Sequence, residues 1–233
     1  MMLRYNYIQS VPDSMQSFNI RNYTKNDLEE CTDCYIGGFF ENNVKGDREF
    51  LRDCTDALVG MSNFTLVAET DGKIVGLLGA AYKKSFDKKL VKTFSDTGRH
   101  KNFITITMKR RLGLYRLSSE FRKEFERFFT EVMMRPPGIT DDCDCELVVL
   151  TSRKDSRNGV GTALVNGMVA RCKENGANRI RIATDTSFNY RFYDKFGTVV
   201  YEKEHIINGE RGRTFVYEIV CDRIKTSENN TEQ

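Results

Sequence analysis

The 233-residue sequence predicts a mixed α/β fold, with helices flanking one sheet that contains a single parallel pair of strands. Residues 146–184 read as strand, helix and strand, and such a crossover joins parallel strands. Two apolar runs flank the turn Asp71-Gly72, which is typical of an antiparallel hairpin. Hydrophobic residues make up 39% of the chain and aromatic residues 11%, enough for a substantial core.

The first third of the chain predicts a strand, two helices and two strands. They cover residues 18–23, 25–40, 47–59, 64–69 and 73–82. The first strand is indicated by alternating polar and apolar residues. Thr24 is a typical N-cap for the first helix, and Asp27 puts a carboxylate in its first turn.

A basic segment, residues 83–142, then interrupts the regular elements. It holds fifteen Lys and Arg against eight Asp and Glu, a net charge of +7, whereas the whole chain carries +3. Apolar residues along 116–134 have helical spacing, and Pro136-Pro137-Gly138 ends the pattern. We therefore expect a helical insertion, here called the basic insert, within one domain over 18–224. We expect residues 1–17 to form an N-terminal arm and residues 225–233 to form a polar tail.

Regular elements resume after the basic insert. They are a central strand at 146–151, a helix at 159–174, a strand at 179–184, a short helix at 189–196, and two late strands at 198–203 and 214–220. The central strand is strongly apolar, which predicts burial on both faces.

Several classes of protein are disfavoured by composition. The longest apolar stretch, Ile74 to Tyr82, is too short to span a bilayer, and the N-terminus lacks the apolar core of a signal peptide. We expect a cytoplasmic protein that does not bind membranes.

Seven cysteines fit reduced thiols better than a disulfide framework. Cys31-x-x-Cys34 and Cys143-x-Cys145 could together supply four zinc ligands, although the first pair lies in a helix-like stretch and could be apolar packing; we expect no metal.

The helix after the central strand opens with the sequence Asn158-Gly159-Val160-Gly161-Thr162. The two glycines let backbone N–H groups approach a ligand, and a helix N-terminus attracts anions. Arg153, Lys154 and Arg157 add positive charge nearby. The segment predicts a phosphate site, although the glycines could equally serve close packing of helix and strand.

A second motif lies about thirty residues further on, where Asn189 is followed by Phe192-Tyr193 and Phe196-Gly197. Residues Ser156 to Gly161 align with the pattern Arg/Gln-x-x-Gly-x-Gly/Ala, which the GNAT superfamily has at the start of the corresponding helix. With both motifs, the sequence resembles this superfamily of acyl-CoA-dependent N-acetyltransferases. The resemblance covers residues 18–82 and 143–220. Ser156 departs from the family's Arg or Gln, and Thr198 from its usual Phe. The resemblance implies a mostly antiparallel sheet with one parallel pair.

The resemblance also implies a function, transfer of an acetyl group from acetyl-CoA to a primary amine by direct attack in a ternary complex. Its cofactor site would comprise Leu150 and Thr151 on the central strand, Asn189, and the run Arg157, Asn158, Gly159, Val160, Gly161 and Thr162. Tyr193 would protonate the leaving thiolate, unless it is only a core aromatic.

Other assignments stay open at this point. Asn189 could contact pantetheine or cap its helix. Glu146 is the candidate general base, with Glu69 and Asp185 as rivals. The acceptor would be a small-molecule or peptide amine, and a homodimer is left open. The alternatives are a non-catalytic acyl-CoA sensor and, less favoured, a nucleic-acid-binding protein that uses the basic insert, for which no recognition motif is present.

Overall fold

The computed structural model describes residues 18–40, 48–83, 105–106, 108–119, 121–122, 125, 142–156, 159–207 and 210–224. Seven strands form one sheet in the order β1-β2-β3-β4-β5-β7-β6. They are β1 (Asn19–Asn22), β2 (Phe64–Thr70), β3 (Lys73–Tyr82), β4 (Cys145–Ser152), β5 (Arg179–Asp185), β6 (Thr198–Ile207) and β7 (Glu210–Val220). The predicted arm, tail and most of the basic insert lie outside the described residues.

The pairing confirms the predicted fold class. β4 and β5 are parallel, and the other five pairs of neighbouring strands are antiparallel. The hairpin turn has φ of 51° at Asp71 and 71° at Gly72, the left-handed conformation that an Asp-Gly turn favours. The two late strands are longer than predicted, because their pairing continues to Ile207 and Glu210.

In the described part of the chain, the sheet is flanked by the α-helices α1 (Leu28–Phe39), α2 (Arg48–Met61) and α3 (Val160–Glu174). Short 3₁₀ helices cover Lys25–Asp27, Lys154–Ser156, Tyr190–Lys195 and Cys221–Arg223. In the part of the chain that the structure describes, no helix has the length and apolar character needed to cross a membrane.

The start of the first helical stretch is held by an ionic contact. Arg21 donates to both carboxylate oxygens of Asp27 at 2.8 and 3.0 Å and to Glu69 at 2.7 Å. Thr24 N also donates to Asp27 at 2.6 Å. The Arg21 hydrogen bond lowers the pKa of Asp27. Through Arg21 of β1, which also binds Glu69 of β2, the carboxylate of Asp27 therefore connects the first helical turn to both strands.

Helices cover both faces of the sheet. Leu66, Ala68 and Leu78 belong to the cluster of buried residues that packs against α3. Val67 and Leu77 alternate with them and pack against the α1 residues Cys31 and Cys34. Since successive strand residues point to opposite faces, α1 and α3 lie on opposite sides of the sheet.

The described part of the basic insert packs beside α1 and α2. Ile106, Tyr115 and Phe121 are buried in one cluster with Phe50 of α2. Asp53 of α2 accepts hydrogen bonds from Lys109 Nζ and from the Tyr115 hydroxyl, each at 2.7 Å. These residues of the insert therefore enlarge the core on the α1 side of the sheet.

Candidate active site

A gap opens between the two parallel strands at the centre of the sheet. β4 has eight residues and β5 has seven, yet they pair only at Cys145 with Ile180 and at Glu146 with Arg181. The strands therefore separate toward their carboxyl ends. Such an opening exposes main-chain groups along the facing edge of each strand, where an extended ligand could pair.

A β-bulge accompanies the opening. Gly79 lies opposite Val149 and Ala80 lies opposite Leu147, so Val148 is an extra residue in β4. A bulge bends its strand and increases the twist, which fits a strand that turns away from its neighbour.

The hydrogen-bond pattern shows which groups of β4 face the gap. Arg153 N donates to Val75 O at 2.9 Å, and Leu150 lies three residues earlier in the same antiparallel register, opposite Leu78. Residues that hydrogen-bond to a partner strand alternate with residues that do not. The N–H and C=O of Leu150 and Ser152 therefore point away from β3, into the gap.

Thr151, the other predicted cofactor residue on β4, faces α1. It is 5% exposed, and its hydroxyl donates to the carbonyl of Cys34 at 2.6 Å. A Cβ on Gly38 would overlap with this hydroxyl. The Thr151 side chain thus joins β4 to α1, and by the same alternation its backbone N–H and C=O point toward β3, so its contact with the cofactor stays a prediction.

α3 begins directly after a glycine. Gly159 is the N-cap, with φ of 84°, a left-handed conformation that favours glycine. Val160 is fully buried, so its side chain belongs to the core. A Cβ on Gly161 would stand 3.0 Å from the ring of Phe192, so close packing explains that glycine directly. Arg157 and Asn158 lie outside the described residues.

Lys195 lies beside this N-terminus, a contact that the sequence did not predict. Its Nζ donates to the Thr162 hydroxyl at 2.6 Å. The ammonium also lies 4.4 and 5.0 Å from the ring centres of Phe192 and Phe196. Partial burial lowers the pKa of Lys195. The first turn of α3 therefore combines N–H donors with one fixed cation.

Arg153 contributes less charge to this N-terminus than the sequence suggested. Its guanidinium donates to the carbonyl of Ile74 at 2.8 Å and to Asp33 of α1 at 3.2 Å. These contacts direct Arg153 to α1. Among the residues that the structure describes, Lys195 is the cation seen in contact with the first turn of α3.

Tyr193 and Asn189 belong to the short segment after β5. Tyr193 lies in the 3₁₀ helix Tyr190–Lys195 and is partly buried, with its ring centre 5.1 Å from that of Phe192 and 5.7 Å from that of Tyr217. Asn189 occupies the N-cap position, but its side chain makes no capping hydrogen bond to this described helix. The capping alternative for Asn189 therefore finds no support, and its contact with pantetheine stays a prediction.

Glu146 lies at the closed end of the gap. Cys145 and Leu147 pack toward α3, so Glu146 between them faces the α1 side, where its carboxylate forms an ion pair with Lys83. Leu150 is four residues further, about 13 Å along a strand. A base at Glu146 would have to leave Lys83 or act through water, and its role stays a prediction.

The two rival carboxylates also have partners. Glu69 accepts the 2.7 Å hydrogen bond from Arg21. Asp185 is 4% exposed at the end of β5 and accepts from the backbone N–H of Ser187 at 2.9 Å. Both contacts stabilise local structure, so neither acid stands out as a better base than Glu146.

The cysteines pack into the core on both faces. Cys31 and Cys34 belong to the cluster around α1, and Cys145 belongs to the cluster around α3. Burial raises the pKa of Cys34 to about 12. The two pairs do not converge, and among the described residues no three His, Cys, Asp or Glu side chains are grouped to hold a metal ion.

Comparison with known proteins supports the fold. No protein-family model and no curated protein matches the sequence. A solved structure from Desulfovibrio desulfuricans, assigned as an acetyltransferase of the GNAT family, superposes with a TM-score of 0.51 at 10% identity, covering 88% of this chain and 99% of its own. The ribosomal-protein-S18-alanine N-acetyltransferase from Escherichia coli gives 0.51 at 9% identity, covering 91% and 98%.

These similarities establish the architecture. The chain has the fold of the GNAT superfamily, a mostly antiparallel sheet with one parallel pair and helices on both faces. This confirms the fold that the two sequence motifs implied. At about 10% identity the similarity shows the fold alone, and one fold can carry many different activities.

Proposed function

We propose that this protein is an N-acetyltransferase that transfers the acetyl group of acetyl-CoA to a primary amine by direct attack in a ternary complex. The observation that carries the proposal is the gap between β4 and β5, which opens beside the N-terminus of α3 in a GNAT fold. The gap offers main-chain groups to an extended arm, and the helix offers N–H groups to a phosphate.

The described residues fit acetyl-CoA as co-substrate. The N–H groups of Val160, Gly161 and Thr162 lack partners within α3, as first-turn groups do, and suit the pyrophosphate. Lys195 adds a charge that Ser156 cannot supply, since Ser156 stands where the family has Arg or Gln. The pantetheine arm would run along the gap edge of β4.

The thioester would then meet the N–H of Leu150. That group points into the gap, and a fixed N–H donor stabilises the oxyanion that forms when the carbonyl is attacked. The positive charge near α3 and the donor at Leu150 would thus bind opposite ends of one ligand.

The reaction needs one proton donor and one acceptor. The neutral amine forms a C–N bond with the acetyl carbon, and the C–S bond breaks to release a thiolate. Tyr193 would give its phenolic proton to that thiolate, because a phenol with a pKa of about 10 stays protonated at neutral pH. The amine's excess proton would pass to Glu146 through water.

The alternative is an acyl-CoA sensor that binds the thioester without transferring its acetyl group. The ion pair between Glu146 and Lys83 favours it, because the carboxylate proposed as the base is already engaged by a cation. Both functions predict acetyl-CoA binding, so only turnover separates them.

Two measurements test the proposal. Acetyl-CoA should raise the melting temperature, while NAD and ATP at the same concentration should not. A panel of small amines and peptide N-termini should then release free CoA thiol in an amine-dependent manner. Binding without release supports the sensor. Absence of acetyl-CoA binding to the folded protein would overturn both functions.

A further inference from the structure

The hydroxyl of a buried tyrosine on β7 reaches the helix that carries Tyr193. Tyr217 is 1% exposed, and its hydroxyl donates to Asp194 Oδ1 at 2.7 Å. Asp194 directly follows Tyr193 in the chain. We propose that Tyr217 is a positioning residue that holds Tyr193 in place for catalysis, an inference that rests on the proposed function.

β7 supports this 3₁₀ helix at three points. The ring of Phe215 stacks on Tyr190 with centres 4.4 Å apart and an interplanar angle of 10°. Two residues along the same face of β7, Tyr217 binds Asp194. A Cβ on Gly197 would overlap with the carbonyl oxygen of Glu218, so the end of the helix lies directly on the β7 backbone.

The hydrogen bond between Tyr217 and Asp194 matters because a 3₁₀ helix of this length has little stability of its own. This helix has six residues, whereas 3₁₀ helices usually end after about three or four residues, since their hydrogen-bond geometry is poor. Phe215 fixes the start of this helix, and Tyr217 fixes the turn that contains Tyr193. A small displacement of an acid from its target lowers the rate steeply.

Tyr217 is suited to hold a position and unsuited to donate its own proton. Burial and the hydrogen bond to Asp194 raise its pKa. The hydroxyl therefore stays protonated and keeps donating to the carboxylate. Tyr193, whose ring lies 5.7 Å from that of Tyr217, remains the proton donor.

The test begins with Tyr217→Phe, which keeps the ring and its contact with Tyr193. We expect kcat to fall about tenfold or more, the scale of a misplaced catalytic group. KM for acetyl-CoA should change less than twofold. Asp194→Ala should lower kcat by the same factor as Tyr217→Phe. Asp194→Asn keeps an acceptor oxygen, so its kcat should stay close to that of the wild type. The double variant Tyr217→Phe/Asp194→Ala should lose no more than either single one.

A second readout does not depend on activity. The backbone N–H groups of Phe196 and Gly197 donate to the carbonyl of Tyr193 at 3.0 and 3.1 Å. In Tyr217→Phe their hydrogen exchange should accelerate, while exchange along β7 stays unchanged. Tyr82→Phe is the matched control, because it removes another buried hydroxyl, which donates to the Arg171 carbonyl at 3.4 Å.

The outcomes distinguish failure of the positioning role of Tyr217 from failure of the proposed function. Unchanged exchange at Phe196 and Gly197 would overturn the positioning role. So would faster exchange with an unchanged kcat, or an equal loss of kcat in Tyr82→Phe. If the wild-type protein transfers acetyl to no amine, the catalytic role is overturned together with the proposed function. The exchange data then still decide whether Tyr217 holds the helix.

Discussion

Replacing Lys195 by methionine tests the phosphate site at the start of α3. The substitution keeps a long side chain that can still cover the rings of Phe192 and Phe196, but it removes the ammonium that donates to Thr162 at 2.6 Å. If the cofactor's phosphates bind at this turn, Lys195→Met should weaken acetyl-CoA binding.

The size of the effect follows from the position of the charge. Two unit charges about 4 Å apart attract by about 1 kcal/mol in water and by about 4 kcal/mol at an effective dielectric constant of about 20. Lys195 is largely exposed, so we expect about 1–2 kcal/mol. That corresponds to a rise in Kd of about five- to thirtyfold.

Calorimetry with acetyl-CoA measures this change, and Lys203→Met, which removes an exposed lysine on β6, is the matched control. The difference between wild type and Lys195→Met should shrink at high salt, because ions screen an exposed charge. A Kd within twofold of wild type in a folded Lys195→Met variant would refute the phosphate contact.

The pH dependence gives an independent check. Partial burial lowers the pKa of Lys195 below 10.5, the value of an ordinary lysine. Only the ammonium attracts phosphate, so acetyl-CoA affinity should fall as pH rises through this lowered pKa. Lys195→Met should lack that fall. Identical pH profiles would show that Lys195 does not contribute its charge to binding.

Three further substitutions have defined outcomes. Tyr193→Phe should lower turnover about a hundredfold with Kd and melting temperature nearly unchanged, and more than half of wild-type turnover, with chemistry rate-limiting, would remove Tyr193 from the mechanism. Gly161→Val should raise the Kd of acetyl-CoA at least about tenfold, because its side chain would enter the first turn and press on Phe192; calorimetry showing unchanged affinity in a folded variant contradicts this. Asp27→Asn should lower the unfolding free energy by about 1–2 kcal/mol at pH 7. Since the pKa of Asp27 is lowered, its contribution is present above the unfolded value of about 4 and disappears as pH falls through the folded value, so a pH-independent difference in urea denaturation would contradict it.

Local sequence signals predicted most of the fold. The Asp71-Gly72 turn fixed one hairpin, and the apolar strand before Gly159 and the strand after α3 fixed the parallel crossover. These elements depend on neighbouring residues, namely on turn chemistry and on periodic burial. The family resemblance added that the sheet is mostly antiparallel with one parallel pair, whereas the order of the strands came from the structure.

The details of the site depend on contacts between distant residues. Lys195 meets Thr162 across 33 positions, and Lys83 meets Glu146 across 63. The bulge at Val148 lies within a uniformly apolar run, where nothing in the sequence marks an extra residue. The periodicity of apolar residues indicates which face of an element is buried, but not which distant residues meet. The two contacts and the bulge could therefore be seen only in the structure.

In the proposed reaction, the two faces of the sheet would separate the two substrates. α3 covers one face, and its N-terminal glycines together with the neighbouring Lys195 would hold the anionic end of acetyl-CoA. α1, α2 and the described residues of the basic insert cover the other face, toward which Glu146 points. The gap between β4 and β5 connects these faces, so an amine approaching from the α1 side would meet the thioester at Leu150 without crossing the cofactor. Acceptor specificity should therefore depend on α1, α2 and the basic insert, and cofactor affinity on α3, so substitutions on one face should leave the other substrate's binding unchanged.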